Sequence, residues 1–215
     1  MATRTTSTKA VEITAPKMET VELHIKGTSP FVQNKFSQKA KNEIHEKQAE
    51  GLRGKKSGKK EAKDFEQCFI NATYKTDDGH CGIPSASFRN AMISACRLIA
   101  DSIPMTRAKM AFWVEPDGFD AEDLTPLTYF TRGEPEYYEA AVRLATGVCD
   151  LRARPMWKPG WEMTVRVTFD AEMLSGRDIA NLLMRAGMQV GVGEGRNDSK
   201  KSCGMGFGSF VIVNK

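Results

Sequence analysis

Two segments a domain's length apart carry the residue types that meet a phosphate group. The first, Gly82-Ile83-Pro84-Ser85-Ala86-Ser87-Phe88-Arg89-Asn90-Ala91, reads as a tight turn feeding a helix that Ser85 caps, with Arg89 as its first exposed cation. A cation in the first turn opposes the helix dipole unless an anion compensates it, which favours a negatively charged partner for Arg89. The second runs from Gly191-Val192-Gly193-Glu194-Gly195-Arg196 through Lys200 and Lys201 to Gly204-Met205-Gly206-Phe207-Gly208. Glycines there let bare backbone N–H groups come close to an anion, while Arg196, Lys200 and Lys201 supply charge. Ser85, Ser87, Arg89, Arg196, Lys200 and Lys201 are therefore predicted to hold the phosphates of a polyanion. The plainer alternative is a surface loop whose glycines only permit a sharp entry into the last strand. Neither the dinucleotide-binding fingerprint nor the P-loop register is present, so no cofactor is expected.

Other residues extend or limit this reading. Arg53, Lys55, Lys56, Lys59, Lys60 and Lys63 fall among helix-breaking glycines, which predicts a flexible basic insertion over about residues 51–63. Such a segment is either a solvated loop or one that folds over a phosphate backbone and releases counterions, and the two are compatible. Arg152 and Arg154 sit on a candidate strand and join the predicted contact residues. Trp157, beside Arg154 and Lys158 at a turn, and Phe207 are predicted to stack on bases, since every base offers a π-face. Trp161 keeps register with Met163 and Val165 and is assigned to the core. His45 is the candidate acid–base residue, and no catalytic carboxylate cluster accompanies it. His80-Cys81 with Cys68 lacks a second close ligand pair, so these residues are assigned to packing and no metal is expected. The acidic run Glu115, Asp117, Asp120, Glu122 and Asp123 is predicted as a solvated loop.

These side chains need a scaffold, and the composition provides one. The chain has 215 residues, 40% of them hydrophobic, enough to bury a genuine core. A formal net charge of +4 is too slight to identify a polyanion partner unless the cations cluster. The five cysteines (Cys68, Cys81, Cys96, Cys149, Cys203) are odd in number and irregularly spaced, which argues against a disulfide framework and fits a reducing cytosol. No apolar stretch approaches the roughly 18 residues of a membrane span, and the first residues lack the apolar core of a secretory signal. A soluble cytoplasmic protein with no membrane partner is expected.

Along the chain, Met1 to about Lys17 is predicted as a disordered tail. Val21, Leu23 and Ile25 alternate with Glu22, His24 and Lys26 as a half-buried strand, ended by Gly27 and the Ser29-Pro30 turn. Ser37 is placed at the start of a short helix running towards Glu50. The helix from Ser85 puts Phe88, Met92, Ala95 and Ile99 on one face. Ala108 to Val114 is predicted as a strand, as is the stretch around Arg152 and Arg154, turned by Lys158-Pro159-Gly160. Trp161, Met163, Val165, Val167 and Phe169 define the clearest strand. Ser175 starts a helix with Ile179, Leu182, Leu183 and Ala186 inward, and Phe210 to Val213 closes the chain as a strand. The order strand, helix, strand, strand, helix, strand predicts an α+β fold: a ferredoxin-like, RNA-recognition-type antiparallel sheet with insertions, forming a single domain over residues 18–215. Both helices then cover one face, and single-stranded RNA or DNA is the usual guest of the other.

On three of these places the chain resembles the RAMP superfamily, the repeat-associated proteins that form backbone and guide-processing subunits of CRISPR effector complexes. They are the opening strand leading into Gly27-Thr28-Ser29-Pro30-Phe31, the Ile83-Pro84-Ser85-Ala86-Ser87-Phe88-Arg89-Asn90-Ala91 turn, and the Gly204-Met205-Gly206-Phe207-Gly208 ending. The chain is also similar in general look to small bacteriophage and prophage proteins, which would place it in a bacterial host's cytoplasm. The resemblance implies a ferredoxin-like core that grips single-stranded RNA through its backbone, with copies stacked into a filament and other protein subunits as partners. Backbone members that cut RNA carry an aspartate in the loop after the first strand, whereas Thr28 to Phe36 holds neither carboxylate nor histidine. Guide-processing members use a histidine near the start of the chain, a place only His45 could fill. The reading is thus a non-catalytic single-stranded nucleic-acid-binding protein, RNA rather than DNA by likeness alone, self-associating along the strand. Its alternatives are an endoribonuclease using His45 and a phage assembly or inhibitor protein docking through the acidic run.

Overall fold

The computed structural model describes residues 13–36, 41, 42, 45, 48, 63–143, 149–199 and 204–214. The tail up to residue 12, the Ser37 helix start, Arg53, Lys55, Lys56, Lys59, Lys60, Lys200 and Lys201 lie outside the described residues. In chain order the elements are β1 (Met18–Gly27), β2 (Phe31–Val32), α1 (Phe65–Asn71), β3 (Gly82–Pro84), α2 (Ser85–Ala95), α3 (Met105–Ala111) and β4 (Phe112–Glu115). They continue with β5 (Gly118–Phe119), β6 (Pro126–Arg132), β7 (Glu136–Arg143), β8 (Cys149–Trp157), β9 (Glu162–Asp170), α4 (Gly176–Arg185) and β10 (Phe210–Ile212).

The result is an α+β architecture with antiparallel sheets. In the larger sheet β1 lies between β10 and β9, and β9 pairs on its other side with β4 along one stretch and β6 along another. β6 carries β3 and β5. The smaller sheet runs β2-β8-β7. Alternation explains the central pair: β1 and β9 match residue for residue from Met18↔Asp170 to Lys26↔Glu162, so Leu23 meets Val165 and Ile25 meets Met163 on the face turned to the helices. Phe88, Met92 and Ala95 of α2 and Ile179, Leu182 and Leu183 of α4 bury against that face. Ser175 Oγ accepts from the Asp178 backbone N–H while the Asp178 carboxylate accepts from Ser175 N–H, a reciprocal cap that fixes where α4 begins. Phe31 of β2 joins the two sheets, with ring centroids 5.4 Å from Trp157, 5.7 Å from Phe130 and 5.8 Å from Trp161.

Four expectations are corrected. Ala108 to Ala111 belongs to α3, and the strand starts only at Phe112; Pro104 stands at the helix start, and Ala108 and Ala111 bury one turn apart, a helical spacing that a short apolar window does not separate from a strand. Ser85 does not cap α2. Pro84 occupies the N-cap, and the buried Ser85 hydroxyl bonds Thr128 Oγ1 at 3.0 Å. The long β7–β8 hairpin stands where one strand was expected, because Glu136-Tyr137-Tyr138-Glu139 shows no clean alternation of apolar and polar residues. The acidic run is not a solvated loop. Asp120 is buried, with Oδ2 2.7 Å from Lys35 Nζ, and it also accepts N–H bonds from Lys75, Glu122 and Asp123. Asp117 pairs with Arg166 at 2.8 Å and Asp123 with Lys41 at 2.9 Å.

Candidate nucleic-acid interface

The two glycine-marked segments meet. After α4 the last turn widens into a π-type turn over Ala186–Val190 that packs against α2, and the chain then folds back as the glycine loop. Val192 N–H donates to Gly208 O at 3.0 Å, Gly208 N–H to Pro30 O at 2.7 Å, and Glu194 N–H to Val32 O at 2.8 Å, so the loop is moored on the segment after β1. Gly208 has φ +68°, and a Cβ there would stand 1.7 Å from Val192 O; at Gly193, with φ +81°, it would stand 2.5 Å from Val32 O. Both positions admit only glycine.

Between the loop and α2 lies a cleft of about 310 Å³, lined by Ser87, Asn90 and Ser94 on the helix side and by Gly191, Gly193, Arg196 and Asp198 on the loop side. Ser87, Asn90 and Ser94 recur at helical spacing, the polar edge of a helix whose other side is core. Arg196 donates to Gly193 O at 2.9 Å and is half-buried. Arg97 approaches Asp198 Oδ2 at 2.5 Å, Ser94 Oγ donates to that same oxygen, and Arg97 also donates to Ser94 Oγ at 2.7 Å. Hydrogen bonds from Arg97 and then Ser94 hold the Asp198 carboxyl below the usual aspartate range, and the nearby Arg196 charge acts in the same direction.

The glycine loop also touches the hairpin. Arg154 Nε donates to Glu194 Oε2 at 2.9 Å, tying β8 to the loop. Phe207 lies half-buried, edge-on to Tyr138 of β7 at 6.4 Å and against Gly195, where an added Cβ would meet its ring at 2.8 Å. The structure therefore gathers Ser87, Arg154, Arg196 and Phe207 around one loop. Arg152 is further along β8, 3.7 Å from Asp150.

Other predicted residues have different surroundings. Trp157 is fully buried and stacked on Phe130 at 4.5 Å, so it cannot offer a face to a base; the turn residues after it suggested exposure, but Ala153, Pro155 and Trp157 alternate inward along β8. Ser85 is buried on Thr128 and does not face the cleft. Arg89 donates to the backbone oxygens of Phe112 and Lys109, so the compensating negative end is the C-terminus of α3. His45 is helical and exposed, and among the described residues no group of three His, Cys, Asp or Glu side chains is arranged to hold a metal. The free sheet face is charge-balanced: Lys26 lies 3.3 Å from Glu162, Arg166 2.8 Å from Asp117, and His24 Nδ1 2.9 Å from Thr164 Oγ1. The sequence reading missed Asn90, Ser94, Arg97 and Asp198. The first three continue the helical stripe from Ser87, which was a usable signal; the approach of Asp198 to them depends on tertiary structure.

No helix among the described residues is long and apolar enough to cross a membrane. No protein-family profile matches the chain, and no curated protein sequence does. Among solved structures, it is similar to a chain of the Type III-B Cmr-beta complex determined by cryo-EM bound to cognate target RNA, with a TM-score of 0.52, 11% identity and 92% of this chain covered. This chain spans 60% of the length of that one. The crystal structure of Cmr6 from Pyrococcus furiosus matches with a TM-score of 0.44 and 10% identity over 92% of this chain and 99% of that chain. The likeness to the Cmr-beta chain is one of fold.

Proposed function

We propose that this protein binds single-stranded nucleic acid, RNA in preference to DNA, as a non-catalytic RAMP-like domain over about residues 18–215. The observation that carries this reading is the cleft in which α2 and the glycine loop meet, where Ser87, Asn90 and Ser94 face Arg196 across close-approach glycines. Arg196 and Arg154 hold the strand by its phosphates, with Lys200, Lys201 and the basic insertion around Arg53 and Lys55 adding charge along its path. Phe207 and Tyr138 offer aromatic edges to bases at the hairpin end. Strand order β10-β1-β9-β4, with α2 and α4 packed on one side, supports a ferredoxin-like core. Likeness of fold to a chain from an RNA-bound complex supports the choice of RNA. The protein works in the cytoplasm, and copies assemble side by side along the strand.

The test is fluorescence anisotropy with several unrelated labelled single strands over a salt series. Affinities are expected to fall together as salt rises, since phosphate contacts release counterions. The triple variant Arg196→Ala, Lys200→Ala, Lys201→Ala is expected to weaken binding at least tenfold with its melting temperature little changed, as surface substitutions cost about 0.5 kcal/mol or less each. Equal binding by a folded triple variant removes the loop from the site. RNA recovered after incubation is expected to be intact with or without magnesium; cleavage lost in His45→Ala would install the endoribonuclease instead.

A further inference from the structure

A carboxylate is out of place in a cleft for phosphates, yet Asp198 lines this one beside Ser87, Asn90 and Arg196. Its position is built: the Asp198 N–H donates to Val190 O at 3.2 Å, and both Arg97 and Ser94 converge on Oδ2. Oδ1 has no hydrogen-bond partner among the described residues, and the side chain is one-third exposed. An ionised carboxylate only accepts hydrogen bonds. With Arg97 offsetting its charge, the chemistry left for Oδ1 is recognition of a hydroxyl or amine donor next to whatever anion Arg196 holds. In a nucleic-acid strand the donor that lies next to a phosphate at every step is the ribose 2′-hydroxyl, which DNA lacks.

We infer that Asp198 is a specificity residue that lets the cleft tell RNA from DNA by accepting a hydrogen bond from a ribose 2′-hydroxyl while Arg196 holds the adjoining phosphate. The inference rests on the nucleic-acid-binding reading above and adds to it the atom that discriminates. A purely structural role, mooring the loop through Ser94 and Arg97 to α2 and the turn that follows it, is the competing account, and it predicts that RNA and DNA suffer alike when Asp198 is removed.

The experiment measures binding of one sequence as RNA, as DNA and as 2′-O-methyl RNA to the full chain and to Asp198→Ala and Arg97→Ala. The 2′-O-methyl strand keeps the oxygen and loses the donor. Wild type is expected to bind RNA about tenfold more tightly than either other strand, the size of one charge-assisted hydrogen bond. In Asp198→Ala the three are expected to converge on the DNA value, whereas Arg97→Ala keeps the preference because the carboxylate remains. Wild type binding RNA and 2′-O-methyl RNA equally overturns the inference whether or not the variants fold. So does an equal loss on RNA and DNA in Asp198→Ala, or an RNA preference abolished as fully in Arg97→Ala as in Asp198→Ala. Failure of every strand to bind defeats the functional reading and this inference with it, while tight but indifferent binding of RNA and DNA defeats the inference alone.

Discussion

Lys35–Asp120 and Arg97–Asp198 are both cation–carboxylate pairs, set in different surroundings. In the first, the side chains are 4% and 0% exposed, the ammonium also reaches Glu122 at 2.8 Å, and Asp120 accepts three backbone N–H groups. Burial alone would push the Lys35 pKa down, but Asp120 and Glu122 outweigh it and hold it above the usual lysine value. In the second, the side chains are 51% and 33% exposed, and no described residue hydrogen-bonds the second carboxylate oxygen. A buried pair leaves an uncompensated charge when one member is removed, whereas a half-open pair gains little and keeps atoms available. Access to solvent therefore separates a pair that fastens the chain after β1 from one that a ligand can use.

The largest effect that would test this contrast is on stability. Asp120→Ala leaves the Lys35 ammonium buried without its main partner and is expected to cost roughly 3–5 kcal/mol in denaturant unfolding, while Asp198→Ala costs about 1 kcal/mol or less. Similar losses in the two variants would erase the distinction. Gly208→Ala sharpens it from the loop side. The strained φ and the collision with Val192 O are expected to cost about 1–3 kcal/mol and to weaken strand binding as well, readable by melting and anisotropy together. Binding that survives Gly208→Ala unchanged would mean that the loop's shape does not matter to the site.

The smallest expected effect is on pH dependence. Asp198 has a pKa below its ordinary 3.8, so its contribution is fully present above that value and is lost as pH falls through the lower folded value. Between pH 8 and pH 5 the stability difference between wild type and Asp198→Asn is expected to stay constant, and to shrink only in more acidic solution. A change in that difference near neutrality would contradict the assignment.

How much was legible depends on whether the deciding contact is local. β1, β9 and α4 announce themselves because Val21-Leu23-Ile25, Met163-Val165-Val167 and Ile179-Leu182-Leu183 repeat with the period of their own element. The union of α2 with the glycine loop was anticipated from residue types, and the structure places both around one cleft. Trp157 was misjudged because the following Lys158-Pro159-Gly160 turn was weighted above the inward alternation of its own strand. Arg89 was misjudged for another reason. Its partners are carbonyls at the junction of α3 and β4, which no local pattern reveals. Asp198 belongs with Arg89, since only tertiary structure brings it to Ser94 and Arg97, and Asp120 likewise looked like one more surface acid until Lys35 closed over it.

The place of β1 between β9 and β10 also governs how the chain is made. Residues 18–27 leave the ribosome well before either strand that completes their hydrogen bonding, at 162–170 and 210–212. Until then Val21, Leu23 and Ile25 travel as an unpaired apolar strand, the kind of segment that chaperones bind and that seeds aggregation in unfinished chains. A fusion or truncation at the C-terminal side that delays or removes Phe210–Ile212 therefore strikes β1, made long before it, and its cost falls on yield during synthesis before it is felt in the finished protein.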